Sequence, residues 1–471
     1  MVRVRGYSLS LGTGTSVINT SQPDCRSSRG AGLCARRFCS LCANVRADGS
    51  LTRVQMSERL TSALGMVVLI GCAFACCPRA LRGAVRWKSA GYALLLLLGL
   101  ALLALRTPVS QVFVWGNDTV NALLSYSTQG ARFLFGSLAD SEASGFVFAF
   151  QVLPSVVFFA ALMSLLYHVR LMPLLIRGGG RFLMRWLGTS GPESFSTVAD
   201  VFVGQTEAPL VIRPYVARLT RSELMACMTA GFASTSGSVL AAYVMMLRDK
   251  VPGIGGHLIA CSVMAAPASL LIAKLMLPEI DAPSATGDDA LPELPRASGV
   301  LDALTLGTLD GLRLAVNVGA MLIAFIALSA LVNGGLGWLG EHVFQRPLSL
   351  ELLFGVCFAP LAFLLGVSTD DVLKVAGLLG QKTVLNEFVA YTSLSDALQR
   401  DPLWLSERSR VITSYALCGF ANFSSIGIQI GGYTSLAPER RADFASLAPR
   451  AMLAGLLSTS LVACVAGLLI G

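Results

Sequence analysis

Long apolar runs dominate the chain, and polar residues fall between them. Runs of membrane-spanning length occur at roughly 60–78, 89–105, 145–168, 223–247, 257–277, 313–338, 411–432 and 446–470. About 20 apolar residues in a helix cross a bilayer core. The pattern therefore predicts eight transmembrane helices. Three other stretches are apolar but interrupted. In 171–188, Arg177, Arg181 and Arg185 recur with apolar residues between them, the pattern of an amphipathic helix lying at the interface. Stretches 192–215 and 348–395 are broken by Gly, Pro and charged residues; the first is expected to dip into the membrane and return. Stretch 348–366 is long enough to cross, but an internal repeat described below pairs it with the interfacial helix.

Composition agrees with lipid as the main solvent. Of 471 residues, 54% are hydrophobic and 14% are charged, against about 25% charged in soluble domains. A secreted disulfide scaffold, a disordered regulator and a nucleic-acid binder are excluded on this ground. The net charge of +8 belongs to membrane-flanking loops rather than to a nucleic-acid surface. Cys72, Cys76, Cys77, Cys227, Cys261, Cys357, Cys418 and Cys464 lie in apolar stretches, where a thiol is a small hydrophobe. Cys25, Cys34, Cys39 and Cys42 cluster near the N-terminus with one C-x-x-C. No second well-spaced pair and no nearby His completes a zinc set.

The positions of Lys and Arg set orientation. Arg79, Arg82, Arg86 and Lys88 follow the first span; Arg170, Arg177, Arg181 and Arg185 follow the third; Arg213, Arg218 and Arg221 precede the fourth. These belong inside, and 106–144, with only Arg106 and Arg132, belongs outside. Both mature termini are then expected outside. Residues 1–55 are Arg-rich, which contradicts that orientation. They read as a disordered or mis-annotated extension, with Met56 as a candidate start. The remaining organisation is 56–144 (N-terminal scaffold helices and an external interfacial helix), 145–277 (first repeat), 278–312 (an acidic cytoplasmic connector) and 313–471 (second repeat).

The repeat is visible in the residues. One region reads GQTEAPLVIRPYVARLTRSELMACMTAGFASTSGSV from Gly204 to Val239; the other holds GQKTVLNEFVAY and LSERSRVITSYALCGFANFSSIGI between Gly380 and Ile428. Each has a Glu in an apolar setting (Glu207, Glu387), a Ser-Glu pair (Ser222-Glu223, Ser406-Glu407) and Gly-Phe-Ala in a span. Three crossings per copy invert the second copy relative to the first. Inverted repeats are frequent in secondary transporters, which bind substrate near the midplane where broken helices meet.

Ionisable groups at membrane depth point to function. Gln205, Thr206 and Glu207 offer amide donors, a hydroxyl and a carboxylate, a set suited to a planar polar heterocycle. The alternative is that Glu207 simply pairs with Arg213, and Glu387 with Lys382. Asn422, Ser424 and Ser425 lie on a Gly-containing span and suit a hydroxyl-rich ligand, or else serve as helix–helix contacts.

The stretches GQTEAPLVIRPY, SGSVLAAY, KTVLNEFVAY and YALCGFAN-x-x-SIGIQIGG, with FAFQVLPSVVFFAALMSLLYH from Phe148 to His168, closely resemble signatures of the concentrative nucleoside transporter family. The resemblance covers about 60–471. It implies an all-α membrane protein of eight transmembrane helices and two re-entrant hairpins in an inverted repeat. It also implies a homotrimer importing nucleosides by sodium or proton symport at the plasma membrane, the inner membrane in a bacterium. The nucleobase is expected on Gln205, Thr206, Glu207 and Val239. The ribose is expected on Glu387, Asn422 and Ser425, beside Phe420. Sodium is expected at Asp200, Val203, Ser234 and Thr235. Asp200 stands where the family commonly has Asn, so this site is also able to carry a proton. Thr235 replaces a more usual aliphatic residue, a mild change if only its carbonyl binds. Two rivals, a cation channel and an intramembrane hydrolase using Glu207 and Glu387, lack the support of these motifs. No enzymatic cofactor is expected.

Overall fold

The computed structural model describes residues 49–470, apart from 107–109, 141–142, 144, 146, 206, 283, 285–296 and 347. The cysteine cluster at 25–42 and residues 283 and 285–296 of the acidic connector lie outside the described residues. The chain divides into Met1–Val54 and Gln55–Gly471, and the fold described here is that of the second unit. It is all-helical among the described residues.

Three helices come first: α1 (Met56–Ala75), α2 (Trp87–Arg106) and α3 (Ser110–Phe135). A single turn at Phe148–Gln151 leads into α4 (Leu153–His168), with Pro154 in its first turn, where a missing N–H costs nothing. Next is α5 (Leu171–Leu187), whose buried Met172, Ile176, Gly180, Leu183 and Leu187 recur at helical spacing. Arg177, Arg181 and Arg185 occupy its exposed face, the stripe expected of an interfacial helix.

Short α6 (Gly191–Asp200) is followed by an irregular segment and two short helical turns, Ala208–Val211 and Arg213–Arg218. Then come α7 (Arg221–Ala233), α8 (Gly237–Leu247) and α9 (Ile254–Met276). The second half begins with α10 (Val300–Leu339) and α11 (Leu350–Leu364). It continues with α12 (Val372–Val384), α13 (Glu387–Arg400), α14 (Glu407–Leu417), α15 (Phe423–Leu436) and α16 (Arg441–Leu469).

Among the described residues, seven helical segments are long and apolar enough to cross a membrane, with α7 and α8 counted as one. The run 411–432, expected as one span, is two shorter helices parted at Cys418–Asn422. Hydrophobicity alone did not register this break. Gly419 takes a φ of +106° there, a backbone conformation that only Gly adopts without strain. Helix α10 also begins at Val300, inside the stretch expected to be solvated connector. Its start is held by packing: a methyl on Gly311 would stand 2.8 Å from Val157 Cα, and one on Gly307 2.8 Å from Ala160 O. Gly307 and Gly311 thus form a small-x-x-x-small face that lets α10 lie close against α4.

Helices α7, α8, α9 and α16 are buried along most of their length. By contrast, α1, α2, α3 and α10 leave large apolar side chains exposed, among them Leu64, Leu95, Trp115, Ile323 and Leu331. Apolar faces of this extent call for an apolar surround.

Candidate functional site

Two helix–break–helix units converge at the centre. In the first, α6 stops at Asp200 and the chain runs irregularly to Glu207. The base of α6 is fixed by the Ser190 N–H, which donates to Glu193 Oε1 at 2.8 Å. The buried Glu193 carboxylate also pairs with Lys274 Nζ on α9 at 2.6 Å. In the second unit, α12 ends at Val384 and α13 opens at Glu387. Asn386 caps α13, its Oδ1 accepting from the Val389 N–H at 2.9 Å.

Each unit faces a break in a following helix. Gly237 N–H donates to Phe202 O at 2.8 Å, joining the first irregular segment to the α7–α8 break. Ser236 caps α8, accepting from Val239 N–H at 3.4 Å. Asn422 caps α15, accepting from Ser425 N–H at 2.8 Å, while its amide donates to Glu387 Oε2 at 2.7 Å. Polar side chains therefore satisfy backbone groups that the breaks leave unpaired.

A cavity of about 960 Å³ lies between these units. Gln205, Glu207, Val239, Glu387, Phe420, Asn422 and Ser425 all line it. Thr206 lies outside the described residues. Glu207 is exposed to the cavity, whereas Glu387 is buried at 4% exposure. Gln205 Nε2 donates to Ser425 Oγ at 3.1 Å. Neither ion pair that the sequence allowed is formed among the described residues. Glu207 makes none with Arg213. Lys382 directs its ammonium to backbone carbonyls instead of to Glu387.

Gln429 was not singled out from the sequence. Its Nε2 donates to Gln205 Oε1 at 3.2 Å and to Met228 O at 3.1 Å, so it orients the Gln205 carboxamide. A lone Gln in an otherwise apolar stretch was the available signal. Asp310, Arg313 and Asn317 of α10 also line the cavity. Asp310 and Arg313 pair at 3.5 Å. Their i, i+3 spacing was legible, but Asp310 had been assigned to the connector.

The four expected cation-site residues are all buried: Asp200 at 1%, Val203 at 6%, Ser234 at 3% and Thr235 at 0% exposure. Asp200 Oδ1 has no hydrogen-bond partner. Ser234 closes α7, its hydroxyl donating to Ala230 O at 2.9 Å. The Thr235 hydroxyl faces Ser262 Oγ at 3.5 Å and Cys418 Sγ at 3.6 Å. An unpaired buried carboxylate oxygen beside a helix C-terminus suits a hard monovalent cation. Among the described residues, no group of three His, Cys, Asp or Glu side chains could hold a transition metal.

Comparison with known proteins covers nearly the whole second unit. Residues 64–138 match the family model for the Na+ dependent nucleoside transporter N-terminus, and 257–467 match the model for its C-terminus. Residues 149–250 match a model described as nucleoside recognition. An uncharacterized transporter of Haemophilus influenzae is 45% identical over 88% of this chain and 98% of its own length. Sodium/nucleoside cotransporter 1 of Rattus norvegicus is 41% identical over 89% of this chain, which spans 65% of that protein. The solved structure of CNTnw in an inward-facing substrate-bound state is 42% identical with a TM-score of 0.81, covering 88% of this chain and 98% of that one. An outward-facing variant of CNTnw matches with a TM-score of 0.82 at 42% identity, over 88% of this chain and 98% of that one.

Proposed function

This chain belongs to the Na+ dependent nucleoside transporter family, and we propose that it imports nucleosides with sodium by alternating access. It is a multi-pass membrane transporter, not an enzyme. One observation carries the reading of the site: amides and carboxylates from both halves of the chain line a single central cavity.

The base is assigned to Gln205, Thr206, Glu207 and Val239. The ribose is assigned to Glu387, Asn422 and Ser425, with Phe420 beside the sugar. Carboxylate and carboxamide oxygens accept from ribose hydroxyls, and the Gln205 amide can both donate to and accept from a base edge. Glu207 and Glu387 act as hydrogen-bond acceptors. The coupling ion is placed at Asp200, Val203, Ser234 and Thr235, where the first irregular segment meets the α7–α8 break. An ion there would order the segment that carries Gln205 and Glu207. Linkage then requires nucleoside to raise ion affinity by the same factor. A proton on Asp200 is the alternative to sodium.

The proposed architecture has eight crossings: the seven apolar helical segments plus the broken pair α14–α15. The units α6 to Arg218 and α12–α13 are its two re-entrant hairpins, in repeats 145–277 and 313–471. A homotrimer with a fixed scaffold would cover part of the exposed apolar surface of α1–α3 and α10, and lipid would cover the rest. Both mature termini are placed outside, in a plasma membrane or a bacterial inner membrane.

The test is uptake of labelled uridine and adenosine into proteoliposomes under imposed sodium or proton gradients. Accumulation of unchanged nucleoside above the external concentration is expected. No sodium- or proton-driven accumulation of either nucleoside would overturn the reading.

A further inference from the structure

We propose that Asp310, Arg313 and Asn317 of α10 form a second, weaker nucleoside subsite, between the central site and the end of the cavity placed inside the cell. This rests on the transport reading above and adds a station on the release path.

From Ala303 to Ala330, the charged residues of α10 are Asp310 and Arg313 alone. Thr305 and Thr308 turn their hydroxyls back onto Leu301 O at 2.8 Å and Leu304 O at 2.7 Å, so their polarity is absorbed by the helix itself. Asp310, Arg313 and Asn317 follow at i, i+3 and i+7, which puts them on one face, and all three line the central cavity. The Asp310–Arg313 pair spans 3.5 Å with its side chains 66% and 78% exposed. An exposed pair of this kind adds little to helix stability. Charges within a helix apolar enough to cross a membrane are costly and by default serve function. Helix stability therefore does not account for the pair, and its place in the cavity wall does.

The cavity has room for such a station. Its volume of about 960 Å³ is at the upper end for a pocket that holds one drug-sized ligand, about 300–1,000 Å³. A nucleoside is smaller than most such ligands. Every residue assigned to its base and ribose comes from the two helix–break–helix units or from the helix breaks they face. Helix α10 contributes none of them, although its polar stripe shares the same space. The cavity extends past that stripe to His168 at the end of α4 and Ala297 just before α10, the ends placed inside.

The stripe matches the chemistry of a departing nucleoside. The Asp310 carboxylate accepts from ribose hydroxyls or a base amino group. The Arg313 guanidinium donates to base carbonyls, and the Asn317 carboxamide does both. Tyr167 of α4 also lines this cavity and offers a ring on which a base can stack. Asp310 lies near enough to Glu207 for the two carboxylates to repel each other. A nucleoside released from Glu207 therefore meets a second hydrogen-bond acceptor before it meets bulk water. The same two carboxylates disfavour a phosphorylated nucleoside, despite Arg313.

Equilibrium dialysis of labelled uridine against the full-length protein, in detergent with sodium, tests the proposal. Two nucleosides per protomer are expected at saturation, one tight and one weak. A single nucleoside per protomer would overturn it. Asp310→Asn and Asn317→Ala should each weaken the second nucleoside about 2- to 10-fold, the loss of one hydrogen bond, whereas Glu387→Gln should weaken the tight one. A weak phase that neither α10 variant changes is adventitious and would also overturn the proposal. Uridine should displace the weak phase better than uridine 5′-monophosphate. The reverse order would make this an anion site and refute the nucleoside assignment. In proteoliposomes, both α10 variants should raise the half-saturating nucleoside concentration for efflux more than for uptake. Equal rises would place these residues in the central site instead. If neither variant folds, the wild-type stoichiometry and the monophosphate competition decide. Absence of both nucleoside binding and flux in the wild type would overturn the transport reading itself.

Discussion

The Gln205 carboxamide donates to Ser425 Oγ at 3.1 Å, joining residues 220 positions apart. One comes from the irregular segment after α6 and the other from the first turn of α15. The two halves of the chain therefore meet directly at the cavity, through side chains assigned to opposite ends of a nucleoside. A ligand seated between them must engage or replace that bond. Ser425→Ala should weaken nucleoside binding about 2- to 10-fold, the range of one neutral hydrogen bond of about 0.5–1.5 kcal/mol. Isothermal titration of uridine and adenosine in sodium buffer measures this; unchanged affinity for both would remove Ser425 from the site.

Glu387 accepts from the Asn422 amide at 2.7 Å while buried. Hydrogen bonds to a charged group contribute about 1.5–3 kcal/mol, or about 10- to 100-fold in affinity. Glu387→Gln replaces an acceptor-only group by one that also donates, and it should lower uptake by at least that factor. Glu207→Gln should also reduce uptake severely, since Glu207 faces the cavity. Both variants should still form the homotrimer proposed above when solubilised in detergent. High-affinity uptake retained in both variants would refute their assignment as substrate ligands.

Gln429 touches Gln205 and the Met228 carbonyl. Its proposed part is to position Gln205. Gln429→Leu should raise the KM for nucleoside about 2- to 10-fold, the loss of one hydrogen bond, with little change in maximal rate. Gln429→Glu keeps an acceptor but loses the donor to Gln205 Oε1, so it should not restore the KM. Full restoration by Glu would show that the donor is dispensable.

How far these residues were legible in the sequence depends on the physics involved. Glu207, Glu387 and Asn422 were findable because a polar group at membrane depth stands out against an apolar run. The break at Cys418–Asn422 was not, because hydropathy averages over a window and Gly419 is apolar by composition. Its φ of +106° is a backbone property with no hydropathy signature. The start of α10 was missed for a related reason. Glu279, Asp281, Asp288, Asp289 and Glu293 made 278–312 look solvated as a whole, while Gly307 and Gly311 hold the start of α10 against α4. Lys382 was read as a possible partner for Glu387, since one sequence does not reveal that carbonyls from α14 would surround it.

Asp200 is expected to distinguish the two coupling ions. A carboxylate binds sodium more strongly than an amide but can also take up a proton. Asp200→Asn should remain sodium-dependent, with a higher half-saturating sodium concentration. It should also lose any acid-side change of uptake that the wild type shows. Uptake is measured in proteoliposomes from acid to alkaline pH at fixed sodium. Sodium-dependent uptake that does not vary with pH in either protein would exclude proton binding at Asp200 from the mechanism.

Lys274 holds two carboxylates at the base of the first irregular unit, the buried Glu193 at 2.6 Å and the half-buried Glu279 at 3.5 Å. Its Nζ also reaches Ser222 Oγ on α7 at 3.0 Å. Removing one partner of a buried ion pair leaves the other charge uncompensated, at a cost of about 3–5 kcal/mol. Lys274→Met should therefore lower the thermal midpoint of the detergent-solubilised protein substantially. The double variant Lys274→Met with Glu193→Gln removes one stranded carboxylate, so it should recover part of the loss. Recovery would be incomplete, because Glu279 remains without its ammonium. Additive midpoint shifts in the two single variants and the double variant would mean that Glu193 and Lys274 are not energetically coupled.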